Sequence, residues 1–369
     1  MHQYISSFYQ IDKERGFLPT NNPTTCLSGH FTLWDEMAQQ FSGLINAGAL
    51  RCALENMPII DAENLANHEL ERAMLLLSCF GSAFVFGDKI TANYIPPAVA
   101  IPWLQVAQRL GRKPVLAHAS LVLQNWQIIK PDKPITTNNI CTLMQFHGGL
   151  DEAFFYLLTV EIEAVGAKAV WAIVDVLDEI NNNDRLAVYE AMKRCNASLK
   201  DMHKSLKKMY WHCDPYIFYK RVRPFLGSFQ QVNFKGTKTN KTKSYHGGSA
   251  AQSSLMQLFD AAFNLSHEKN AKAYSFLQEM QSYMPPKHAA FVQYVKKIST
   301  IKTWCEQDVI AQNLYNETID LLLDFRNEHL KIAAEYIIKP SKNEKALGTG
   351  GTDAMRFLKQ IRNNTGMKK

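Results

Sequence analysis

A histidine at position 329 lies on the apolar face of a predicted helix. Hydrophobic residues stand at −7, −4, +3, +4 and +7 from His329, which is the spacing of one helix face. These residues are Leu322, Phe325, Ile332, Ala333 and Tyr336. A buried ring nitrogen needs a hydrogen bond or a metal. A flat apolar cofactor with iron at its centre would satisfy both the ring and its neighbours; the alternative is a core histidine bonded to a backbone carbonyl.

Arg326 precedes His329 by three positions, on an adjoining edge of the same helix. Its planar guanidinium could pair with an acidic group of such a cofactor, because two parallel N–H donors match a carboxylate. The alternative is an ordinary surface arginine.

A second candidate site lies in residues 214–227. Aromatic residues lead one turn into Arg223, and Pro224 then ends the helix, since its ring disfavours helical geometry at the preceding residue. Arg223 could clamp a carboxylate while Phe218 packs on a flat ring, which describes a site for an aromatic amino acid. The alternative is a basic surface helix with Lys220 and Arg221 as solvated neighbours.

Two glycine-rich segments could also contact a ligand. Residues 348–353 lead into a helix, and their backbone amides and hydroxyls could hold a carboxylate, although a flexible tail is the alternative. The glycines of 247–254 permit close backbone approach to a flat ligand, or simply begin a helix. Zinc-protease, hydrolase-elbow, dinucleotide and iron–sulfur motifs are absent from the sequence.

Composition favours a cytoplasmic globular protein. The 369 residues are 46% hydrophobic, ample for a real core, and the seven scattered cysteines show no paired spacing, as expected of reduced thiols. We expect no signal peptide and no membrane span. The net charge of +7 is spread along the chain and does not indicate nucleic-acid binding.

The periodic segments are almost all helical, which predicts an all-α fold. They cover residues 69–79, 114–126, 151–178, 185–209, 251–264, 269–283, 287–297, 308–338 and 353–362. Two prolines and a polar cluster in 131–139 predict a break. We therefore expect a small helical domain at 1–132, a linker at 133–150 and a larger helical domain at 151–369, with exposed loops at 235–248 and 341–351.

Together, and in this order, these residues resemble the indoleamine 2,3-dioxygenase family, and we interpret the chain as a bacterial-type homologue. The resemblance runs from about Ile101 to Arg362 and is poor in the first hundred residues. The matching blocks are Ile101-Pro102-Trp103, Leu123 to Trp126, Val160-Glu161-Ile162, Phe218 to Gly227, Gly247 to Ala250, Gln252 to Ser254, Tyr283 to Pro286, the His329 helix and Gly348 to Asp353.

The resemblance implies a small domain that caps a larger one holding non-covalent haem b. It makes His329 the proximal iron ligand, Arg326 a propionate partner and Asp260 a supporting acid. Phe218 would pack on the substrate indole and Arg223 would bind the substrate carboxylate. The remaining contacts would be Thr349 and Gly350 at the amino-acid end of the substrate, and Gly248, Ser249 and Ala250 at the haem edge.

Two departures from the family pattern are expected. Counting back from Glu161 places Ala153 and Leu157 above the haem, where the family has phenylalanine and serine, so the pocket would lose a hydroxyl. His118 stands where the pocket wall has tyrosine in the family, which would reshape the space around the indole.

The resemblance implies that ferrous haem and O2 open the indole C2=C3 bond of L-tryptophan to give N-formylkynurenine. The departures leave two alternatives: a haem- and indole-binding protein with little turnover, or an oxygenase for another indole. A helical interaction scaffold would leave the buried imidazole unexplained. The sequence does not identify the electron donor.

Overall fold

The computed structural model describes residues 1–237, 241–265, 272–341, 348–349 and 354–366. Sixteen α-helices lie within these residues. They are α1 (His2–Tyr9), α2 (Thr32–Asn46), α3 (Leu50–Asn56), α4 (Leu70–Phe86), α5 (Pro97–Leu110), α6 (Leu150–Asn182), α7 (Arg185–Lys207), α8 (Met209–His212), α9 (Pro215–Ile217), α10 (Ser254–Ala262), α11 (Lys272–Gln281), α12 (Pro286–Ile298), α13 (Ile301–Cys305), α14 (Val309–Ala333), α15 (Lys339–Ser341) and α16 (Ala354–Gly366). The all-α class is confirmed.

Short irregular helices interrupt this framework. Segments with the wider π geometry cover Ala119–Leu123, Phe218–Val222 and Ala334–Ile338. Tighter 3₁₀ turns cover Gly29–Phe31, Asn67–Glu69, Arg223–Leu226 and Ala250–Gln252. Such departures from the α-helix are frequent at functional sites.

Five short strands form two small sheets in the described residues. They are β1 (Tyr94–Ile95), β2 (Gln127–Ile128), β3 (Ile140–Cys141), β4 (Phe229–Phe234) and β5 (Thr242–Tyr245). β4 pairs in parallel with β1 and antiparallel with β5, so part of the loop expected at 235–248 is a strand. β2 and β3 pair antiparallel, and the Asn139 side chain closes the turn between them by donating to three backbone carbonyls. The break expected at 131–139 is therefore an ordered hairpin.

Three long helices build the larger part of the core. α6, α7 and α14 pack side by side, and each boundary has a local cause. α6 ends at Asn183, which adopts the left-handed conformation with φ of 57°. Asp184 and Asp308 then begin α7 and α14 by accepting hydrogen bonds from the backbone N–H groups of Ala187 and Ala311.

The N-terminal residues pack directly on these long helices. The Trp171 indole N–H of α6 donates to the carbonyl of Asp12 over 2.7 Å, and α1 lies against α12. A continuous hydrophobic cluster runs from Ile5 to Tyr336. Among the helices in the described residues, none is long and apolar enough to cross a bilayer.

Candidate active site

A cavity of about 320 Å³ opens between α6, α10, α14 and the π segment 218–222. Its walls are mostly apolar, with a few charged or polar side chains among them, as is usual for small-molecule sites. Residues from all parts of the predicted site line this cavity. They are His118, Phe218, Arg223, Gly248, Ser249, Ala250, Arg326, His329 and Thr349. Gly350 lies outside the described residues.

His329 lies on α14 and lines the cavity between Phe325 and Ile332. No hydrogen bond to its ring is found within the part of the chain that the structure describes. The alternative of a core histidine bonded to a carbonyl is thus not what the structure shows. Burial and the positive charge of Arg326 lower the pKa of His329, which keeps the imidazole in the neutral form that binds metals.

The donors around His329 fit a haem better than a bare metal ion. No group of three histidine, cysteine or acidic side chains that could enclose a metal occurs in the described residues. A haem brings four ring nitrogens of its own and asks the protein for an axial ligand and an apolar cavity. His329 would serve as the axial ligand, and the surrounding Phe325, Ile332 and Ala333 form an apolar wall that fits such a ring.

Arg326 also lines the cavity, and its guanidinium is held from two sides. It lies 2.5 Å from Oδ1 of Asp260 on α10 and donates to the hydroxyl of Thr365 on α16. Both charged side chains are largely buried. The arginine thereby joins three helices at one edge of the cavity, and the expected contact between Asp260 and this part of the site is present.

Breaking this ion pair is expected to destabilise the protein. Arg326→Leu would remove the guanidinium that pairs with the Asp260 carboxylate, and we expect the free energy of unfolding to fall by about 3–5 kcal/mol, the usual cost of removing one partner of a buried ion pair. Urea unfolding of the haem-free protein measures this loss. The double variant Arg326→Leu with Asp260→Leu should regain much of it, because neither charge then remains. Equal losses in the single and double variants would contradict the assignment.

Phe218 and Arg223 bound the cavity on the side of the π segment. Phe218 is buried, with its ring centroid 4.7 Å from that of Phe155 and 5.9 Å from that of Tyr336. The Arg223 guanidinium carbon lies 5.2 Å from the Tyr219 ring centroid. An aromatic face and a cation thus share one apolar cavity, which suits an aromatic amino acid.

The two glycine-rich segments contact each other at the cavity. The Thr349 hydroxyl donates to the carbonyl of Gly248 over 2.6 Å, and the Ser228 hydroxyl donates to the carbonyl of Thr349 over 2.7 Å. A Cβ on Gly247 would lie 2.0 Å from the Leu226 carbonyl oxygen, so only glycine fits there. Ser249 caps the following 3₁₀ turn with its side chain.

The expected positions on α6 were wrong. Leu157 packs with Leu123, Trp126 and Val160 in a separate cluster and does not line the cavity. Phe155 and Thr159 line it instead, one turn apart. The pocket therefore keeps both an aromatic ring and a hydroxyl on this helix, and the Thr159 hydroxyl donates to the Phe155 carbonyl over 3.0 Å.

The error has a physical reason. α6 is buried on nearly every face, so its apolar residues do not indicate which face borders the cavity. Counting back from Glu161 therefore chose the wrong register. Glu161 points to α7, where it accepts a hydrogen bond from Ser205 over 2.7 Å.

His118 lines the cavity as expected, but its partners could not be read from the sequence. Its Nε2 lies 3.0 Å from Oε1 of Glu163, which also accepts a hydrogen bond from the Ser253 hydroxyl over 2.7 Å. Glu163 and Ser253 line the cavity too. The sequence offers only a weak signal for Glu163: it follows Thr159 by four positions, about one helical turn, so the two side chains share a face of α6.

Comparisons with known proteins agree with this geometry. The family model described as indoleamine 2,3-dioxygenase matches residues 5–368, so the match extends through the first hundred residues as well. The chain is 31% identical to indoleamine 2,3-dioxygenase 2 of Mus musculus, covering 97% of this chain and 93% of the relative. It is 30% identical to an indoleamine 2,3-dioxygenase of Aspergillus nanangensis, over 97% and 95% of the two chains. It is 27% identical to that of Saccharomyces cerevisiae, over 97% and 92%.

A family match across nearly the whole chain and a cavity that pairs an unbonded histidine with apolar walls point to the same conclusion. The chain belongs to the indoleamine 2,3-dioxygenase family and is an oxidoreductase that uses non-covalent haem b and O2 to open an indole ring.

Proposed function

We propose that the substrate is L-tryptophan or a close indole analogue that carries a carboxylate, and that the product is N-formylkynurenine or its analogue, as in tryptophan breakdown by the kynurenine route. The observation that carries this proposal is the presence of Arg223, Phe218 and His329 in the walls of one cavity. An arginine among aromatic rings favours an amino acid over an uncharged indole or an amine such as tryptamine.

The protein's part in the reaction is binding and orientation. The bound haem supplies the iron chemistry by which both atoms of O2 reach the indole C2=C3 bond. His329 would hold the haem iron through its neutral imidazole, and Arg326, held by Asp260, would pair with a haem propionate. Gly248, Ser249 and Ala250 line the cavity and would border the haem edge.

Substrate contacts follow from the remaining walls. Phe218 packs on the indole, Arg223 binds the carboxylate, and Thr349 with Gly350 closes over the amino-acid end. His118 lies in the wall around the indole ring. No side chain is assigned as a general acid or base, because holding the reactants in register suffices for chemistry that the cofactor performs.

We also propose where in the cell the protein acts, how the chain divides into domains and which class of partner it binds. All seven cysteines are free thiols, which supports a reducing, cytoplasmic location. Residues 1–132 would form a small domain that walls the pocket, 133–150 its connection, and 151–369 the haem-binding domain. The partner is a small molecule and not a nucleic acid.

Thr159 favours turnover over the alternative of haem or indole storage. That alternative rested in part on a missing hydroxyl, and Thr159 brings one to the cavity. The test is to reduce the haem-loaded protein without oxygen, then add air and L-tryptophan and record the absorbance of formylkynurenine. Product formation supports the proposal. Tight tryptophan binding without product would favour the binding protein.

A further inference from the structure

Three buried polar side chains meet in one part of the mostly apolar wall of the cavity. His118, Glu163 and Ser253 are exposed by only 6%, 3% and 5%. Oε1 of Glu163 lies 3.0 Å from His118 Nε2 and 2.7 Å from Ser253 Oγ. Buried polar groups cost free energy unless they are bonded, so a cluster of this kind in a ligand cavity needs an explanation.

The cluster is held rigidly, because its members come from separate elements. His118 precedes the π segment 119–123, Glu163 lies in the middle of α6, and Ser253 lies between a 3₁₀ turn and α10. Gln252 adds a further tie by accepting a hydrogen bond from the His118 backbone N–H over 3.0 Å. Groups fixed in this way can recognise a ligand without losing side-chain entropy on binding.

The cluster also keeps unused hydrogen-bonding capacity. Within the described residues, both contacts to Glu163 involve Oε1, and no hydrogen bond reaches its Oε2 or Nδ1 of His118. A carboxylate accepts about four hydrogen bonds and an imidazole has two nitrogens that can each take part. Because all three residues line the cavity, a bound molecule can use this capacity.

The rest of the cavity narrows the choice of ligand group. In the proposed function, Arg223 and Thr349 hold the amino-acid end of the substrate, which leaves the cluster for the ring. Its neighbours Leu121, Val122 and Ile162 suit the apolar faces of an indole. A ring hydroxyl complements the cluster, since its O–H can donate to Oε2 of Glu163 or to Nδ1 of His118, which is an acceptor when Nε2–H donates to Glu163.

We propose that His118, Glu163 and Ser253 form a specificity-determining cluster that selects a tryptophan hydroxylated on its benzo ring. This proposal rests on the proposed function, because it assumes that an indole amino acid occupies the cavity. A site built to bond a substrate hydroxyl discriminates strongly against an analogue without it, since the buried polar groups are then left unpaired.

The test compares ring-hydroxylated with ring-methylated L-tryptophans. For each position of the benzo ring, the hydroxylated and the methylated tryptophan are titrated separately into the haem-loaded protein. Calorimetry gives the two dissociation constants. A methyl group has nearly the size of a hydroxyl but forms no hydrogen bond. We expect at least one hydroxylated isomer to bind about tenfold or more tightly than its methylated counterpart, the effect of one hydrogen bond to a charged group.

Substitutions then assign the preference to the cluster. Glu163→Gln and His118→Phe should each reduce the ratio of the two dissociation constants several-fold. Glu161→Gln is the matched control, because Glu161 is equally buried on α6 but bonds Ser205, Lys208 and the Thr137 backbone outside the cavity. Its ratio should stay at the wild-type value.

The outcomes distinguish a failure of the selectivity proposal from a failure of the proposed function. If no hydroxylated isomer is preferred by the wild-type protein, or if the preference survives in both cluster variants, the selectivity proposal is overturned and the cluster serves packing alone. Unmodified L-tryptophan is assayed in parallel for binding and turnover. Failure of every indole amino acid to bind, whether hydroxylated, methylated or unmodified, would count against the proposed function itself, whereas normal tryptophan turnover without any hydroxyl preference would count only against the cluster.

Discussion

Replacing His329 by alanine is expected to abolish stable haem binding. The imidazole is the protein ligand proposed for the iron, and the remaining cavity walls near it are apolar. Without an axial ligand, the haem would keep only its contacts with those walls and with Arg326. Titration of the haem-free protein with haem, followed by the Soret band, should show a sharp shifted band for the wild-type protein and only weak, unspecific absorbance for His329→Ala.

Two controls make this experiment decisive. His203→Ala removes a histidine of α7 that lies 3.7 Å from Glu328, next to the same helix but outside the cavity, and it should bind haem normally. Free imidazole added to His329→Ala should restore part of the spectrum by occupying the space that the side chain left. A wild-type spectrum in His329→Ala would refute the ligand assignment.

Arg223→Ala is expected to lower kcat/KM for L-tryptophan by roughly 10- to 100-fold, mainly through a higher KM. The substrate carboxylate would lose a charged hydrogen-bonding partner, and such contacts contribute about 1.5–3 kcal/mol each. Haem binding should be unaffected, because Arg223 lies on the segment after α9 and His329 on α14. Steady-state kinetics of the haem-loaded protein measure the effect.

The matched control is Arg221→Ala. Arg221 lies two residues before Arg223, in the π segment 218–222, and is exposed, so its removal changes the charge equally but leaves the cavity intact. Its kinetics should match those of the wild type. Tryptamine supplies a second control, because it has no carboxylate. Its dissociation constant should be the same for the wild-type protein and for Arg223→Ala. Unchanged tryptophan kinetics in Arg223→Ala would reject the proposed role.

The amino-acid sequence by itself determined the helical class and the position of His329 on the face of α14 that lines the cavity. Apolar residues at helical spacing predict α14 correctly because one face of that helix is buried and the opposite face is exposed to solvent. The same periodicity singles out His329, since an imidazole interrupts an otherwise hydrophobic stripe. Pro224 was expected to end the helix at Arg223, but the structure shows only a change of helix type there: the π segment ends at Val222 and a 3₁₀ turn runs from Arg223 to Leu226. These signals are local, so one chain segment contains them whole.

Only the tertiary structure decided the partners across elements. The sequence does not predict the register of α6, because a helix buried on nearly all sides has no solvent-exposed face that would orient it. Thr159, and not the expected Leu157, lines the cavity. The pairing of β1 with β4 joins residues far apart in the chain and has no periodic signature over two residues. The contact of His118 with Glu163 and Ser253 exists for the same reason: three segments must pack before their side chains meet. Distances between segments are set by packing of the whole core, which no single stretch of sequence encodes.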